Sequence, residues 1–432
     1  MKVYLDMVGC RLNQSELEEM ARQFASAGHT LTADPSQADL GVVNTCTVTV
    51  SSAADSRKTI RRLARSGVDE IVVTGCWATL APEKAASLPG VTRVISNGDK
   101  NFLVSQLLSM PPEELEDDEI GRQRIPGSRN RTRAFIKTQD GCSHQCAFCI
   151  TTIARGPASS IPSRGVLRRI NQAVESGVKE AVLTGVQLGS WGRDLPGKPE
   201  LSDLVAEILK GTSLPRLRLS SIEPWDITPG LVSTMASERV ARHLHLPLQS
   251  GSVSTLARMS RAITPTRYAR IVKMIRREIP EAAVTTDIMT GFPGETEEEF
   301  ADSLAFVREM RFADGHVFTY SARDGTRAAA LDQQIPHPVR KQRNARMRKV
   351  LAQSAKAYRN QFLGQQLLVL WEDVRSDHEA ETAGDSLVRG LTDNYLRVET
   401  HAPAEVWNTI TPARMVRLSS TGLIGEITSS QI

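Results

Sequence analysis

The sequence predicts an α/β protein with a parallel β-sheet domain at the N-terminus, an open six-stranded βα barrel in the centre and a small all-β barrel at the C-terminus. Strand-like and helix-like segments alternate through the first two parts, which is typical of parallel βα units. Short strands separated by turns replace this alternation near the C-terminus. A chain of 432 residues is long enough for two or three domains with separate cores. The predicted boundaries are 1–110, a linker over 111–133, 134–360 and 361–432.

The composition indicates a cytoplasmic protein with reduced thiols. The formal net charge is +4, so the overall charge of this mildly basic chain does not require a nucleic-acid partner. Six cysteines are present without the dense spacing of a disulfide framework. No apolar run approaches the length that crosses a bilayer, and the first residues, Met1 to Asp6, do not resemble a signal peptide. We therefore expect no membrane contact.

Three predicted strands, each followed by a helix, make up the first domain. The strands cover residues 2–8, 40–44 and 70–74. Ser15 and Glu18 match the capping-box pattern of a helix N-terminus, so the first helix is expected to begin beside Ser15. Repetition of βα units implies a parallel, Rossmann-like sheet.

A cysteine follows each of these three strands: Cys10, Cys46 and Cys76. The C-terminal ends of parallel strands share one edge of the sheet, and open α/β sheets bind ligands at that edge. The three thiols should therefore converge although they are distant in sequence. Three unrelated buried cysteines are the alternative, because cysteine is often buried. We predict that the three thiols are ligands of one cluster.

The central part contains Cys142, Cys146 and Cys149 in a CxxxCxxC run. Three thiolates on one loop can hold an iron–sulfur cluster and leave one iron without a protein ligand, and chemistry occurs at such open metal positions. A structural zinc site is an alternative, but zinc favours CxxC pairs and a fourth ligand, for which His144 inside the loop is poorly placed. A disulfide would leave an odd cysteine and needs an oxidising compartment.

This run, with Phe148 immediately before the last cysteine, resembles the radical S-adenosylmethionine (SAM) superfamily. The resemblance implies a [4Fe-4S] cluster whose open iron binds the amino and carboxylate groups of SAM. It also implies one-electron cleavage of SAM to a 5′-deoxyadenosyl radical, and the open (βα)6 radical SAM partial barrel. The six strands are predicted at residues 134–138, 181–185, 216–221, 243–249, 284–290 and 316–320.

A SAM pocket is predicted where these strands end, because ligand sites of βα barrels lie at the C-terminal ends of the strands. Polar or glycine-rich turns occur there, and glycine lets the backbone approach a ligand closely. Turn formation alone explains any single one of them. The SAM-binding candidates are Phe148, Thr184, Gly185, Val186, Ser221, Glu223, Gln249 and Gly291. Gln187 departs from the family, which more often has histidine there.

The sequence NTCTV at residues 44–48 and the pair Gly75-Cys76, ahead of the radical SAM segment, resemble the methylthiotransferase family. The resemblance covers essentially the whole chain and implies a second, auxiliary [4Fe-4S] cluster on Cys10, Cys46 and Cys76. One SAM would methylate a sulfur held there, and the radical from a second SAM would remove the hydrogen from carbon 2 of a tRNA adenine. An electron donor such as flavodoxin or ferredoxin is also implied, whereas the oligomeric state is not indicated.

The C-terminal part is predicted to be a basic helix over residues 340–360 followed by a small β-barrel. The cations of the helix are Arg340, Lys341, Arg343, Arg346, Arg348 and Lys349. The strands are predicted at 366–371, 386–391, 396–399 and 415–421, and the segment resembles the TRAM domain of RNA-modifying enzymes. A barrel beside a basic helix favours RNA binding, and a merely solvated helix face is the alternative.

The predicted linker combines an acidic run at residues 113–119 with a cluster of arginines. Charge blocks of this kind are usually solvated and flexible, so a plain linker is the favoured interpretation. Contact with RNA phosphates is the alternative. The arginines are Arg122, Arg124, Arg129, Arg131 and Arg133.

Residues 139–141, 220–223, 243–250 and 318–326 resemble the branch of the family that modifies N6-threonylcarbamoyladenosine at position 37 of tRNA. Three alternatives stay open: the branch acting on isopentenyladenosine of tRNA, a methylthiotransferase acting on an aspartate of a ribosomal protein, and a non-catalytic iron–sulfur carrier or sensor. The last of these would need no SAM pocket.

The threonylcarbamoyl adduct makes a chemical demand on its site. It carries a carboxylate and a hydroxyl, which need cationic or hydrogen-bonding partners when they are enclosed. The isopentenyl group is apolar and makes no such demand. Arg155 and Arg323 are the candidate partners for the carboxylate.

Overall fold

The computed structural model describes residues 1–115, 123, 125, 132–375 and 385–428. The elements of the N-terminal part are β1 (Lys2–Met7), α1 (Arg11–Ser26), β2 (Thr30–Leu31), β3 (Leu40–Thr45), α2 (Val50–Arg65), β4 (Glu70–Gly75), α3 (Cys76–Leu80), α4 (Pro82–Ala86), β5 (Val91–Val94) and α5 (Leu103–Leu108). The strands form one sheet in the order β2-β1-β3-β4-β5, and all neighbours are parallel. The predicted parallel sheet is confirmed.

Helices cover both faces of this sheet. β3 and β4 are therefore almost entirely buried, as is usual for central parallel strands. Successive residues alternate between the two faces: Val42 and Val72 pack in the core beside α1 and α5, whereas Val43 and Val73 pack in the core beside α2. Packing on both faces holds the strand ends, and the loops that follow them, in fixed positions.

The first helix begins earlier than predicted. α1 starts at Arg11 with Cys10 as its N-cap, so the capping box predicted at Ser15 and Glu18 is wrong. Ser15 lies within the helix, and its Oγ accepts a hydrogen bond from the backbone N–H of Lys137 at 2.9 Å. The prediction failed because this serine connects two parts of the fold, and the local sequence does not show that contact.

The central part is an open arc of six parallel strands, as predicted. Its elements are β6 (Arg133–Lys137), β7 (Gln139–Asp140), α6 (Thr151–Arg155), β8 (Ser159–Ser160), α7 (Ser163–Glu175), β9 (Glu180–Thr184), α8 (Leu201–Gly211), β10 (Arg216–Leu219), α9 (Pro229–Met235), β11 (His243–His245), α10 (Val253–Arg258), α11 (Pro265–Glu278), β12 (Ala283–Thr290), α12 (Glu297–Met310) and β13 (Asp314–Thr319). The sheets β10-β9-β6 and β11-β12-β13 are joined by the bridges Leu217–Val240 and Ser221–His245. β11 is shorter than predicted, because Pro247 has no N–H to continue the ladder.

The C-terminal part is a closed five-stranded barrel. Its elements are α13 (His337–Asn360), β14 (Gln366–Arg375), β15 (Asp385–Thr392), β16 (Arg397–Pro403), β17 (Ile410–Leu418) and β18 (Leu423–Ile427). The strand order around the barrel is β14-β15-β16-β18-β17. The sequence predicts only four strands. The strand expected over residues 415–421 covers the end of β17 and the turn that leads into β18, and β18 itself was not predicted.

The basic helix α13 uses part of its charge inside the fold. Arg343 is buried and binds Glu295 at 2.7 Å, and Arg346 binds Glu297 at 2.5 Å. Arg343 is therefore not available to a nucleic acid, whereas Arg346 is paired but exposed. Lys341, which is exposed, remains at the surface with its neighbours on the same helix. Among the described residues, no helix combines the length and the hydropathy needed to cross a bilayer.

The predicted linker is only partly described. Arg122, Arg124, Arg129 and Arg131 lie outside the described residues, as does most of the acidic run. Arg133 is the first residue of β6, and its Nε lies 2.5 Å from Glu372 Oε1 on β14. This arginine belongs to the packed fold and not to a solvated segment.

Glu180, the first residue of β9, is a fully buried carboxylate surrounded by arginines. Arg218 binds it at 2.7 Å, Arg216 at 3.5 Å and Arg133 at 3.8 Å. Burial alone would raise the pKa of Glu180, but these guanidinium groups, Arg218 foremost, lower the pKa to about 2. Glu180 therefore stays ionised and compensates the buried cations at the junction with the C-terminal barrel.

Replacing Glu180 by Gln is expected to destabilise the fold by about 3–5 kcal/mol, because buried cations lose their shared counter-charge. The folded-state pKa is about 2, and an unfolded glutamate titrates near 4.3. The contribution of Glu180 is thus complete above the unfolded pKa and is lost as the pH falls towards 2. The midpoint of urea unfolding, measured for both proteins from neutral to acidic pH, tests this.

The matched control for Glu180 is an exposed ion pair. Glu426 pairs with Arg414 at 2.7 Å, but the two side chains are 59% and 56% exposed. Replacing Glu426 by Gln should change the stability by less than about 1 kcal/mol. Equal unfolding midpoints for the Glu180 and Glu426 variants would contradict the role assigned to the buried carboxylate.

Candidate active site

The three N-terminal cysteines lie at one edge of the N-terminal sheet. Cys10 is the N-cap of α1 after β1, Cys46 directly follows β3, and Cys76 is the first residue of α3 after β4. Gly9 allows Cys46 to approach, since a Cβ at Gly9 would lie 2.7 Å from Cys46 Cβ and 2.9 Å from its Sγ. The strand-end geometry expected from the sequence thus brings these cysteines to a common edge.

Two asparagine side chains connect this edge to the central barrel. Asn13 accepts a hydrogen bond from Arg155 Nη2 at 2.8 Å, and its Oδ1 lies 3.8 Å from Cys10 Sγ. Asn97 Nδ2 lies 3.6 Å from Cys76 Sγ and donates to the carbonyl of Ala154 at 2.8 Å. Both asparagines therefore contact α6, the helix that follows the CxxxCxxC loop and contains Ala154 and Arg155. Sequence reasoning missed both asparagines, because no motif marks them.

A buried charge network surrounds Arg155. Its guanidinium binds Glu16 at 2.8 Å and Asp140 at 2.9 Å, and Lys100 and Lys137 also bind Glu16, at 2.8 and 3.2 Å. Burial would raise the pKa of Glu16, but the three cations hold that pKa well below its usual value. Three cations face two carboxylates, so the network carries excess positive charge.

This positive charge acts on the thiols next to it. Burial raises the pKa of the Cys10 thiol, and the Arg155 guanidinium opposes that rise. Cys10 also lies at the positive end of the α1 dipole, which favours a thiolate. The Arg155 charge limits the rise in the pKa of the Cys10 thiol without reversing it.

The CxxxCxxC loop follows β7 and precedes α6. Gly141 at its start has a φ of +64°, and a Cβ there would lie 1.9 Å from the carbonyl oxygen of Pro157, so the entry to the loop requires glycine. Burial raises the pKa of Cys142 to about 11, and the charges of Cys149 and Cys146 add to the shift. The three thiols are thus close enough to repel one another as thiolates.

Polar side chains from later strands surround this loop. The Cys142 thiol donates to Gln187 Oε1 at 3.1 Å, which places Gln187 directly at the loop. Arg261 Nη1 lies 3.9 Å from Cys146 Sγ, and Arg261 binds Glu223 at 2.7 Å. Arg261 therefore connects Glu223, a SAM-binding candidate, to the CxxxCxxC loop. Sequence reasoning missed Arg261, which is distant from every motif.

A cavity of about 450 Å³ is lined by residues of the N-terminal part, the central strands and the C-terminal barrel. Its lining includes Cys10 from the N-terminal sheet together with Thr184, Gly185 and Ser221, three of the SAM-binding candidates. The size suits a nucleoside-sized ligand. A ligand at the end of β9 would therefore share its chamber with a thiol of the first cysteine set.

The remaining SAM-binding candidates occupy different environments. Gln249 is buried with a φ of +71°, and its Oε1 has no partner among the described residues, so it can accept a hydrogen bond from a ligand. Phe148 packs edge-on against Phe292, with ring centroids 6.5 Å apart. A Cβ at Gly291 would lie 2.2 Å from the side chain of Arg340, so close packing already requires this glycine. Val186 is half-buried just beyond β9.

All six cysteines are free thiols, so the disulfide alternative does not hold. Among the described residues, no three His, Cys, Asp or Glu side chains have the spacing that would hold a metal ion. A four-iron cluster differs, because each thiolate binds a separate iron and the thiols stand farther apart. The two sets of three thiols have the donor chemistry that two such clusters need.

Comparisons with known proteins agree with this arrangement. Residues 2–96 match the family described as Uncharacterized protein family UPF0004, and residues 136–307 match the Radical SAM superfamily. The threonylcarbamoyladenosine tRNA methylthiotransferase MtaB of Bacillus subtilis is 34% identical over 403 residues, which cover 90% of this chain and 88% of the relative. The ribosomal protein uS12 methylthiotransferase RimO of a Synechococcus species is 30% identical, over 98% of this chain and 89% of the relative.

A solved structure supports the fold. The radical SAM methyltransferase TsrM of Kitasatospora setae superposes with a TM-score of 0.56 at 16% identity, over 73% of this chain and 72% of that chain. Radical SAM methylthiotransferases bind SAM and two [4Fe-4S] clusters as cofactors. Since both domain matches and full-length relatives above 30% identity agree, the chain belongs to the methylthiotransferase family of radical SAM enzymes.

Proposed function

We propose that this enzyme converts N6-threonylcarbamoyladenosine at position 37 of tRNA to its 2-methylthio derivative. The relative from Bacillus subtilis carries that activity in its name, whereas the Synechococcus relative is named for a ribosomal protein, and the two identities, 34% and 30%, are close. Overall similarity therefore does not choose between substrates. The choice rests on a cationic side chain beside the N-terminal cysteines.

That side chain is Arg323. Its Nη2 donates to Thr47 Oγ1, and Thr47 directly follows Cys46. Its Nε is buried and has no partner among the described residues. A carboxylate would satisfy this guanidinium with charge-assisted hydrogen bonds. An isopentenyl group would leave the buried N–H unpaired, which is costly.

Arg155, the other candidate for the carboxylate, is already engaged. Its side chain is only 2% exposed and binds Glu16 and Asp140. A further arm donates to Asn13 at 2.8 Å. It therefore serves the contact between the two cysteine sites, and Arg323 is the better partner for the adduct.

In the proposed mechanism, Cys142, Cys146 and Cys149 hold the cluster that binds SAM, and the other cysteine set holds the auxiliary cluster. When bound, the first supplies an electron for SAM cleavage and the second supplies the sulfur. Arg155 and its network fix the two sets relative to each other. Arg261 holds Glu223 beside the SAM-binding loop. The cavity that Cys10, Thr184 and Ser221 line is the proposed position of the substrate base.

Binding of tRNA is proposed to use the C-terminal barrel together with the exposed cations of α13. Lys341, Arg348 and Lys349 are exposed on that helix. Phosphate contacts through such side chains make affinity fall with salt. A tRNA substrate implies a cytoplasmic enzyme, and flavodoxin or ferredoxin is the proposed class of electron donor.

The test compares tRNAs that carry different precursors. Reduced enzyme with SAM should methylthiolate tRNA that bears the threonylcarbamoyl adduct, and not isopentenylated tRNA, as measured by nucleoside mass spectrometry. Replacing Arg323 by Gln should lower kcat/KM for the carboxylate-bearing tRNA by about tenfold or more, as expected for loss of a hydrogen bond to a charged group.

Two controls accompany this test. Arg267→Gln removes an exposed cation on α11 and should leave kcat/KM unchanged. Converting the adduct to its methyl ester should slow the wild type but not the Arg323 variant. Product from only the isopentenylated tRNA, or from only a ribosomal protein, would overturn the substrate assignment.

A further inference from the structure

The turn between β15 and β16 attaches the C-terminal barrel to the central barrel. Arg218, fully buried, donates to the carbonyl of Asp393 at 2.9 Å and to that of Thr392 at 3.0 Å. The Asp393 carboxylate binds Arg242 Nε at 2.6 Å. Charge-assisted bonds of this kind are directional and strong, so the turn has a defined position relative to the central strands.

Tyr395, within this turn, adopts a strained backbone conformation. Its φ is +68°, in the left-handed region that non-glycine residues seldom occupy. Such strain persists only where the surroundings hold it, and it often occurs at functional sites. The Tyr395 ring is stacked on His243, with centroids 4.1 Å apart and an interplanar angle of 5°. His243 is itself fixed by Thr285 Oγ1 at 2.9 Å.

The hydroxyl of Tyr395 contacts the N-terminal sheet. It accepts a hydrogen bond from Arg11 Nη2 at 2.6 Å. Arg11 is the first residue of α1, and the preceding residue, Cys10, is the N-cap of that helix. Cys10, Arg11 and Tyr395 line the same cavity as Thr184 and Ser221. One hydrogen bond therefore connects the C-terminal barrel to the segment that carries a cysteine of the auxiliary site.

We propose that Tyr395 is a positioning residue for methylthio transfer. Its hydroxyl holds Arg11, and thereby the start of α1, so that Cys10 faces the shared cavity. The C-terminal barrel is then a wall of the reaction chamber in addition to its proposed contact with tRNA. The role rests on the proposed assignment of Cys10 to the auxiliary cluster, and it does not depend on which base is modified.

The test uses Tyr395→Phe in the full-length, reconstituted enzyme. The substitution keeps the ring on His243 and removes the acceptor for Arg11. The yield of methylthio product per 5′-deoxyadenosine should fall about tenfold, the usual effect of losing a hydrogen bond to a charged group. Formation of 5′-deoxyadenosine and affinity for tRNA should not change. A structural role alone would lower both products of the reaction together.

Arg11→Gln tests the same hydrogen bond from the other side, and it serves if Tyr395→Phe folds poorly. It should cause the same fall, and the double variant should be no worse than either single one, because the two residues act through one contact. Arg267→Gln is the control, since it removes an exposed cation on α11 and should leave the ratio of products unchanged.

An unchanged ratio in both Tyr395→Phe and Arg11→Gln would overturn the proposal. So would a parallel loss of 5′-deoxyadenosine and product. The ratio is measured on whichever substrate the wild type accepts. Failure of the proposed substrate therefore shows in the wild type, whereas failure of the Tyr395 proposal shows only in the variants.

Discussion

Alanine at Cys142, Cys146 and Cys149 together is expected to abolish SAM cleavage and to reduce bound iron and sulfide to about half. The open iron of a cluster held by these cysteines is the proposed site for SAM, and that cluster would supply the electron for SAM cleavage. Cys10, Cys46 and Cys76 lie at the edge of the N-terminal sheet and are unchanged in this variant. The enzyme should therefore retain one cluster and lose all radical chemistry.

Measurement of this variant needs two readouts. Iron and sulfide analysis after anaerobic reconstitution reports the number of clusters, and chromatography of 5′-deoxyadenosine after reduction reports SAM cleavage. Gln187→Ala is the control, because it removes the contact between Gln187 and Cys142 at 3.1 Å but keeps all three cysteines. SAM cleavage at the wild-type rate in the triple variant would show that SAM is not activated at this loop.

Alanine at Cys10, Cys46 and Cys76 together is expected to leave SAM cleavage intact and to abolish transfer of the methylthio group. The proposed division of labour places the sulfur at this second site and the radical at the first. Cys46 packs against Gly9, and alanine keeps its Cβ, so the loop loses only the sulfur atom. Cys10, Cys46 and Cys76 follow the strands and do not lie within them, so the sheet should remain folded.

Nucleoside mass spectrometry of the tRNA, with 5′-deoxyadenosine measured in the same reaction, checks this variant. Replacing Cys76 alone should already remove the product. A cluster that is bound by only two thiolates has two irons without a protein ligand and is less stable. Normal product from the triple variant would show that these cysteines are structural. The outcome is independent of whether the adduct is threonylcarbamoyl or isopentenyl.

Local pattern explains much of the fold. Alternating strands and helices follow from periodicity within short windows, and parallel strands then place their C-terminal loops at one edge. For that reason β1, β3 and β4 of the N-terminal sheet and the six central strands were predicted, whereas the edge strands β2 and β5 were not. The cysteines could be assigned to two sets from strand position and loop spacing alone.

Local pattern failed where distant contacts decide the outcome. Ser15 matched a capping box but lies inside α1, because its hydroxyl binds the backbone of Lys137. β18 was not predicted, and its place in the C-terminal barrel is set by its pairing with β16 and β17. Arg155 and Arg323 were equivalent candidates in the sequence. Packing engaged the first in a buried network and left a spare donor on the second.

The C-terminal barrel illustrates the same division. The sequence predicts it as a small RNA-binding barrel at the C-terminus. In the structure its turn carries partners for Arg218, and Tyr395 reaches Arg11 beside the auxiliary site. Removing the barrel would leave buried arginines such as Arg218 without these partners. Deleting the barrel would therefore change the stability of the fold as well as the binding of RNA.

The sequence by itself determined the family and the alternation of strands and helices, and it predicted the two cysteine sets, because motif spacing and hydrophobic periodicity are encoded within short segments. Only the tertiary structure decided which charges are neutralised, which arginine can receive a carboxylate and which barrel residue enters the reaction chamber. Each of these depends on side chains far apart in sequence, such as Tyr395 and Arg11. Their free energies arise from burial and pairing that exist only after the chain has folded.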